Sequence, residues 1–167
     1  MLTVIQYFWQ LALLRANPSQ VPTATWFVAG VVIANLLLSV VLSSALSPET
    51  PVLRISTAII VQQATLAALL WTALYLRELP QRFMATFAAW LGCDLIITAI
   101  FALVLQVVSV LTDAQPGAVF FVFMFWSIAA SANILRHAFN TGMPMGVITS
   151  LGLTFFATLF SEAAIHA

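Results

Sequence analysis

Five long runs of apolar residues, separated by short polar breaks, dominate the pattern along this chain. A transmembrane helix needs about 20 apolar residues to cross about 30 Å of hydrocarbon, and each run is long enough. The pattern therefore predicts five transmembrane helices, at about residues 25–46, 52–76, 83–111, 118–138 and 145–164. The break before the last run is short, so a four-span arrangement, with one of the last two runs re-entrant, stays open.

The residues before the first run follow an amphipathic pattern. Apolar side chains recur at helical spacing on one face and polar ones on the other: Leu2, Ile5, Trp9 and Leu13, broadened by Val4, Phe8 and Leu11, against Thr3, Gln6 and Gln10. This predicts a short helix lying in the membrane interface, and Pro18 and Pro22 then break the helix. We expect an interfacial helix and proline-containing linker over residues 1–24 and a transmembrane domain over residues 25–167.

Composition supports an all-α, polytopic transmembrane bundle. The chain is 63% hydrophobic and 6% charged, whereas soluble domains are about 25% charged. The net charge is zero and the chain contains no lysine, which argues against nucleic-acid binding because phosphate contacts need clustered cations. With Cys93 as the single cysteine, neither an internal disulfide nor a cysteine-based metal cluster is expected.

The arginines indicate the orientation in the membrane. Cytoplasmic loops carry an excess of arginine and lysine. If the N-terminus is cytoplasmic, four arginines lie inside and one lies outside: Arg15, Arg77, Arg82 and Arg136 against Arg54. The prediction is a cytoplasmic N-terminus, five spans and a C-terminus on the opposite side.

Asp94 is a carboxyl group near the middle of the third run, where an ionisable group must be neutral, paired or facing water. Counting about 1.5 Å per residue from the cytoplasmic end places Asp94 about 16 Å deep and Asn35 about 15 Å deep. The same count brings a polar residue of every other span close to this level. The sequence thus predicts an intramembrane polar layer of Asp94, Asn35, Gln62, Gln63, Ser127 and Thr154.

Three interpretations of this layer are open. It can be a hydrogen-bonded girdle that specifies helix packing, with Asp94 protonated and donating to Asn35 or Gln63. It can instead be a proton or ion path in which Asp94 titrates, or a subunit interface. We favour the girdle, because a transport path usually has more than one ionisable group and no second one is expected at this depth.

Basic residues near the inner helix ends are candidates for contact with anionic lipid head groups, and simple anchoring is the alternative. These residues are Arg77, Arg82, Arg136 and His137. We expect no haem, because His137 and His166 fall on opposite sides of the membrane. We also expect no metal site, because Asp94, Cys93 and the histidines do not converge. No catalytic motif such as GxSxG, HExxH or a P-loop occurs, so no enzymatic activity is expected.

Three stretches, together with the five-span layout, resemble small proteobacterial membrane proteins related to the Yip1 domain family. They are residues 13–22 (LLRANPSQVP), Leu91 with Gly92, and residues 126–128 (WSI) with 134–138 (ILRHA). The resemblance implies five spans, a cytosolic N-terminus, a location in the bacterial inner membrane and a periplasmic C-terminus.

The function expected is that of a non-enzymatic scaffold or accessory subunit of a membrane assembly. Its expected partners are membrane lipids and either other membrane-protein subunits or further copies of the chain. The alternative is a small oligomeric transporter or channel that uses the Asp94 layer. A lipid-handling protein that uses the inner arginines is a weaker third possibility.

Overall fold

Six α-helices account for most of this computed structural model, which describes residues 2–16, 18–111 and 117–166. The helices are α1 (Leu2–Ala12), α2 (Thr25–Leu46), α3 (Val52–Leu76), α4 (Phe83–Leu111), α5 (Gly117–Ala138) and α6 (Met143–His166). Helices α2 to α6 are each long and apolar enough to cross a membrane. This confirms the predicted all-α class with five spans, and both α5 and α6 are continuous, unlike in the re-entrant alternative.

Three helices end in the same way, although none has a glycine at the turn. Leu14, Glu78 and Asn140 follow α1, α3 and α5 with φ angles of 63°, 60° and 53°. In each case the N–H of the next residue donates to the carbonyl five positions back: Arg15 to Gln10 (2.8 Å), Leu79 to Leu74 (2.9 Å) and Thr141 to Arg136 (2.9 Å). These bonds satisfy carbonyls that the helix leaves without a partner, and they turn the chain back sharply.

The five long helices form a closed ring in the order α2, α3, α6, α5, α4. Helices α2 and α4 are therefore neighbours although α3 separates them in sequence. Since successive spans alternate in direction, α2 and α4 run parallel. This places Asn35 and Asp94, each about ten residues from the start of its helix, side by side.

One half of the ring is tightly packed and the other is not. In the packed half, residues 86–93 of α4 and 130–135 of α5 are all buried, as are Leu70 and Leu74 of α3. In the open half, no described side chain is buried after Asn35 in α2, after Ile97 in α4 or before Ala130 in α5. Burial there comes from the α3–α6 pair, where the Ser161 hydroxyl donates to the Ala58 carbonyl at 3.0 Å.

Helix α1 packs on the outside of the ring, against α4 and α5. Its predicted apolar face is divided in two: Phe8 and Leu11 are buried against the ring, whereas Ile5 and Trp9 are 62% and 41% exposed. The Phe8 ring stacks on Phe27 with centroids 6.2 Å apart. The Trp126 indole Nε1 donates to the carbonyl of Ala12 at 2.8 Å, so α1 is attached to the bundle by both apolar and polar contacts.

Substituting Gly92 by alanine is expected to displace α1. A Cβ at Gly92 would overlap the ring of Phe8, and overpacking of this kind costs about 1 to 3 kcal/mol. Cys93, 2% exposed, reports on the contact because its Sγ lies 3.9 Å from the Phe8 carbonyl oxygen. In detergent, Gly92→Ala should raise the rate of maleimide labelling of Cys93 about tenfold, since about 1.4 kcal/mol corresponds to that factor.

Gly30→Ala is the matched control for this labelling experiment, because nothing lies within 4 Å of a Cβ at Gly30. Adding Phe8→Ala to Gly92→Ala should return the labelling rate towards that of Phe8→Ala alone. Equal labelling of the Gly92→Ala and Gly30→Ala variants would show that α1 does not dock over Gly92.

Candidate functional site

Polar side chains from three helices form a hydrogen-bonded chain where the packed and open halves meet. The Gln63 Nε2 of α3 donates to the Asn35 Oδ1 of α2 at 2.7 Å. The Asn35 Nδ2 donates to the Asp94 Oδ2 of α4 at 2.9 Å and to the Leu91 carbonyl at 3.2 Å. Asn35 is 3% exposed and is the buried centre of the chain.

The Leu91 carbonyl determines which side chains donate and which accept in this series of hydrogen bonds. A backbone carbonyl only accepts, so the Asn35 group beside it must be the NH₂. The second N–H of that group then points to Asp94, and the Oδ1 faces Gln63, which must donate. Asp94 is therefore the terminal acceptor. The predicted direction, with Asp94 donating to Asn35, is wrong, because both Asn35 N–H groups are already directed at acceptors.

A cavity of about 680 Å³ lies inside the ring. All six residues of the predicted polar layer line it: Asn35, Gln62, Gln63, Asp94, Ser127 and Thr154. The structure thus brings them around one space, but as a lining and not as a continuous girdle. Gln62, Ser127 and Thr154 stand outside the hydrogen-bonded chain that joins the other three.

The rest of the cavity wall is largely aromatic and aliphatic. Trp90 and four phenylalanines contribute to it, and the rings of Phe101 and Phe123 lie 5.2 Å apart between centroids. Among the described residues that line the cavity, none is Lys, Arg or His, and Asp94 is the single carboxylic acid. The cavity therefore combines one acidic group with an apolar interior.

The cavity has an opening where its lining is exposed, on α5 and α6. Its lining residues on α2, α3 and α4 are buried or half-buried, and the exposed ones are Phe120 of α5 and Leu151, Thr154 and Phe155 of α6. In the packed half, α5 and α6 are in close contact, because Gly146 lies against the backbone of Ala132. Beyond this contact the exposed lining residues lie on the same two helices, and in a membrane this part of the cavity faces lipid.

A second cavity, of about 540 Å³, lies at the opposite end of the bundle from the open half. Arg82, Arg136 and His137 line it, whereas Arg77 does not. The Arg82 Nη1 donates to the carbonyls of His137 and Ala138, both at 3.0 Å, and to the Asn140 Oδ1 at 2.9 Å. Arg82 thus caps the C-terminus of α5.

This arrangement reduces the number of residues available for the predicted contact with a lipid head group. The capping role of Arg82 is structural, which leaves Arg136, with His137 beside it, to contact an anionic group. The Arg136 Nε is buried and has no hydrogen-bond partner among the described residues. Within residues 2–16, 18–111 and 117–166, no three His, Cys, Asp or Glu side chains gather in a group that could hold a metal ion. The side chain of His166 lies outside the described part.

The sequence reading missed several residues of the main cavity. Ser39 and Ser43 line it one and two turns after Asn35, and Thr98 and Phe101 line it one and two turns after Asp94. The signal was present, because residues at spacings of about four and seven share one face of a helix. Searching those faces from Asn35 and Asp94 would have found them.

Comparison of this chain with protein-family models, with curated proteins and with solved structures finds no match. The fold itself defines the class, an all-α protein with five helices long and apolar enough to cross a membrane. The resemblance to the Yip1 domain family stays a prediction.

Proposed function

We propose that this protein is a non-enzymatic membrane protein that binds a small amphiphilic molecule within the bilayer. The observation that carries the proposal is the main cavity, which combines polar side chains with a largely apolar lining and has exposed lining residues that face lipid in a membrane. Its volume of about 680 Å³ lies in the range of small-molecule sites, about 300 to 1,000 Å³. A partner helix does not fit, since one turn of a helix about 10 Å wide already fills about 400 Å³.

The predicted role as a scaffold or accessory subunit would therefore use the outer surface of the bundle. We keep this role as part of the proposal, with other membrane-protein subunits or further copies of the chain as partners. Native mass measured in mild detergent tests it. A stoichiometric complex or a defined homo-oligomer is expected, and a lone monomer would overturn this part of the proposal.

We also propose that the protein lies in a bacterial inner membrane with its N-terminus in the cytoplasm and its C-terminus in the periplasm. Support comes from Arg77, Arg82 and Arg136, which lie at the end of the bundle next to the packed half, against Arg54 at the other end, since cytoplasmic ends carry the excess of arginine. In this orientation the main cavity opens into the periplasmic leaflet. Reporter fusions after Ala167 should be active only in the periplasm, and a cytoplasmic signal would refute the orientation.

Photolabelling tests whether the main cavity is occupied from the bilayer. A long-chain alcohol with a diazirine in its tail, added to vesicles that contain the protein, should label peptides carrying Phe120 and Phe155 at the opening. Ser127→Trp fills the cavity and should reduce this labelling at least about fivefold. Ile33→Trp, at a position 58% exposed on α2 and outside the lining, is the matched control. Wild-type labelling spread evenly over the lipid-facing surface would overturn the binding proposal.

A second candidate function, a small transporter or channel, is favoured by the position of Asp94 as an acceptor at the cavity wall. In the present conformation the packed half closes the cavity, since Leu70, Leu74, Ile134 and Leu135 are fully buried there. Transport would need that half to open. Asp94→Asn should then abolish flux in reconstituted vesicles while assembly is retained, and unchanged flux would exclude this use of Asp94.

A further inference from the structure

We propose that the main cavity selects molecules with a positively charged amino group and an apolar body. The ammonium group binds the Asp94 carboxylate, and the apolar body lies against the aromatic wall and in the opening on α5 and α6. This inference rests on the proposed function and names the class of ligand that the cavity accepts. Three features of the cavity carry it: the direction of the hydrogen-bonded chain, the charge of the lining and the shape of the opening.

The direction of the hydrogen-bonded chain favours a ligand that donates. The Leu91 carbonyl orients Asn35, so the donors of Gln63 and Asn35 follow each other and end on Asp94. Asp94 lines the cavity. A ligand that offers N–H groups can donate to Asp94, the last acceptor in this series of hydrogen bonds. A ligand that only accepts finds no donor directed at it there.

The acidic charge of the cavity lining favours a cationic ligand. A carboxylate held away from water is stabilised by an opposite charge, and Asn35 supplies Asp94 only with a hydrogen bond from a neutral group. The arginines do not supply the charge: Arg54 is exposed at the start of α3, and the others lie outside the main cavity.

The same lining disfavours phospholipids. A phosphate in this cavity would meet a carboxyl group and no lining cation among the described residues, so anionic lipids are disfavoured on charge and the phosphate of a zwitterionic lipid finds no partner. An ammonium group has three N–H donors. Besides Asp94, the hydroxyl oxygens of Ser39, Ser127 and Ser131 face the same cavity and can accept. The class is therefore an amine with an apolar body and no anionic group.

The opening fits the apolar part of such a molecule. Phe120 and Phe155, 53% and 61% exposed, flank it from α5 and α6. An amphiphile dissolved in the bilayer can therefore enter from the lipid side with its amino group leading, and its tail can stay in contact with lipid. No passage through the packed half is needed.

Matched photolabels test the inference. A diazirine-bearing alkyl amine, alcohol and carboxylic acid of equal chain length are added to protein in vesicles, and labelled cavity peptides are quantified. The amine should label these peptides at least about tenfold more than the alcohol, and the acid least. Asp94→Asn should reduce amine labelling to the level of the alcohol, whereas Asp94→Glu should retain part of the preference. Glu49→Gln, which removes an exposed acid outside the cavity, should leave the preference unchanged.

The outcomes separate the inference from the proposed function. Equal labelling of the wild-type cavity by amine and alcohol would overturn amine selection and leave amphiphile binding intact. No cavity labelling by any of the three probes would overturn both. A preference that survives Asp94→Asn would overturn the role of Asp94. The wild-type comparison of amine with alcohol remains decisive if the Asp94→Asn variant fails to fold.

Discussion

Replacing Gly146 by alanine is expected to lower the free energy of unfolding by about 3 kcal/mol. A Cβ at this position would overlap the Ala132 carbonyl oxygen and lie 3.2 Å from its carbonyl carbon and 3.3 Å from the Arg136 Cβ. Backbone atoms of a helix cannot rotate away as a side chain can. Helices α5 and α6 must therefore move apart where they are closest, which loosens the packed half.

Gly152→Ala is the matched control for this change, because it is made in the same helix and a Cβ there meets nothing within 4 Å. It should leave stability unchanged or raise it by up to about 1 kcal/mol, since alanine is the better helix former. Unfolding by sodium dodecyl sulfate in mixed micelles, followed by tryptophan fluorescence, measures both variants. Equal midpoints for the two would show that α5 and α6 are not in close contact at Gly146.

Asn35→Leu is expected to lower the free energy of unfolding by about 2 kcal/mol, because three interhelical hydrogen bonds are lost and each contributes about 0.6 kcal/mol in a membrane. The substitution leaves the Leu91 carbonyl, Asp94 and Gln63 without the partner they share. The same micelle titration measures the loss. Amine labelling of the main cavity should fall as well, since Asp94 is no longer held in place.

Ser44→Ala is the control for Asn35→Leu. It removes a hydroxyl from the same helix, but one that bonds the Val40 carbonyl of its own helix at 2.7 Å, so no other helix loses a partner. Combining Asn35→Leu with Asp94→Leu should cost less than the sum of the two single changes, because neither partner is then left alone. If Asn35→Leu costs no more than Ser44→Ala, the hydrogen-bonded chain does not hold α2, α3 and α4 together.

The depth of the polar residues in the membrane was predictable because the rise of a helix per residue is constant. Counting along α2 and α4 placed Asn35 and Asp94 at one depth, and the structure joins them at 2.9 Å. Their direction of donation was not predictable. It depends on the Leu91 carbonyl, a backbone group with no signature in the sequence, which orients the Asn35 amide.

The docking of α1 was likewise only partly predictable from the sequence. Both Phe8 and Trp9 belong to the predicted apolar side of the helix, and hydrophobicity does not tell which of them faces protein. Phe8 is buried because Gly92 leaves space for its ring, and Trp9 stays exposed while its ring contacts Trp126 edge-on, with centroids 6.1 Å apart. Shape complementarity between two segments that are distant in sequence decides which of the two side chains is buried, and no local sequence pattern predicts the outcome.

The sequence by itself determined the class of this protein, the number of long helices and nearly all of their ends, because apolar length and proline breaks act locally. Only the tertiary structure decided the ring order that makes α2 and α4 neighbours, and with it the cavity. The physical reason is that these helices are apolar on nearly every side, so hydrophobicity cannot choose their neighbours. Small contacts, such as Gly146 on Ala132 and Asn35 on Asp94, make that choice.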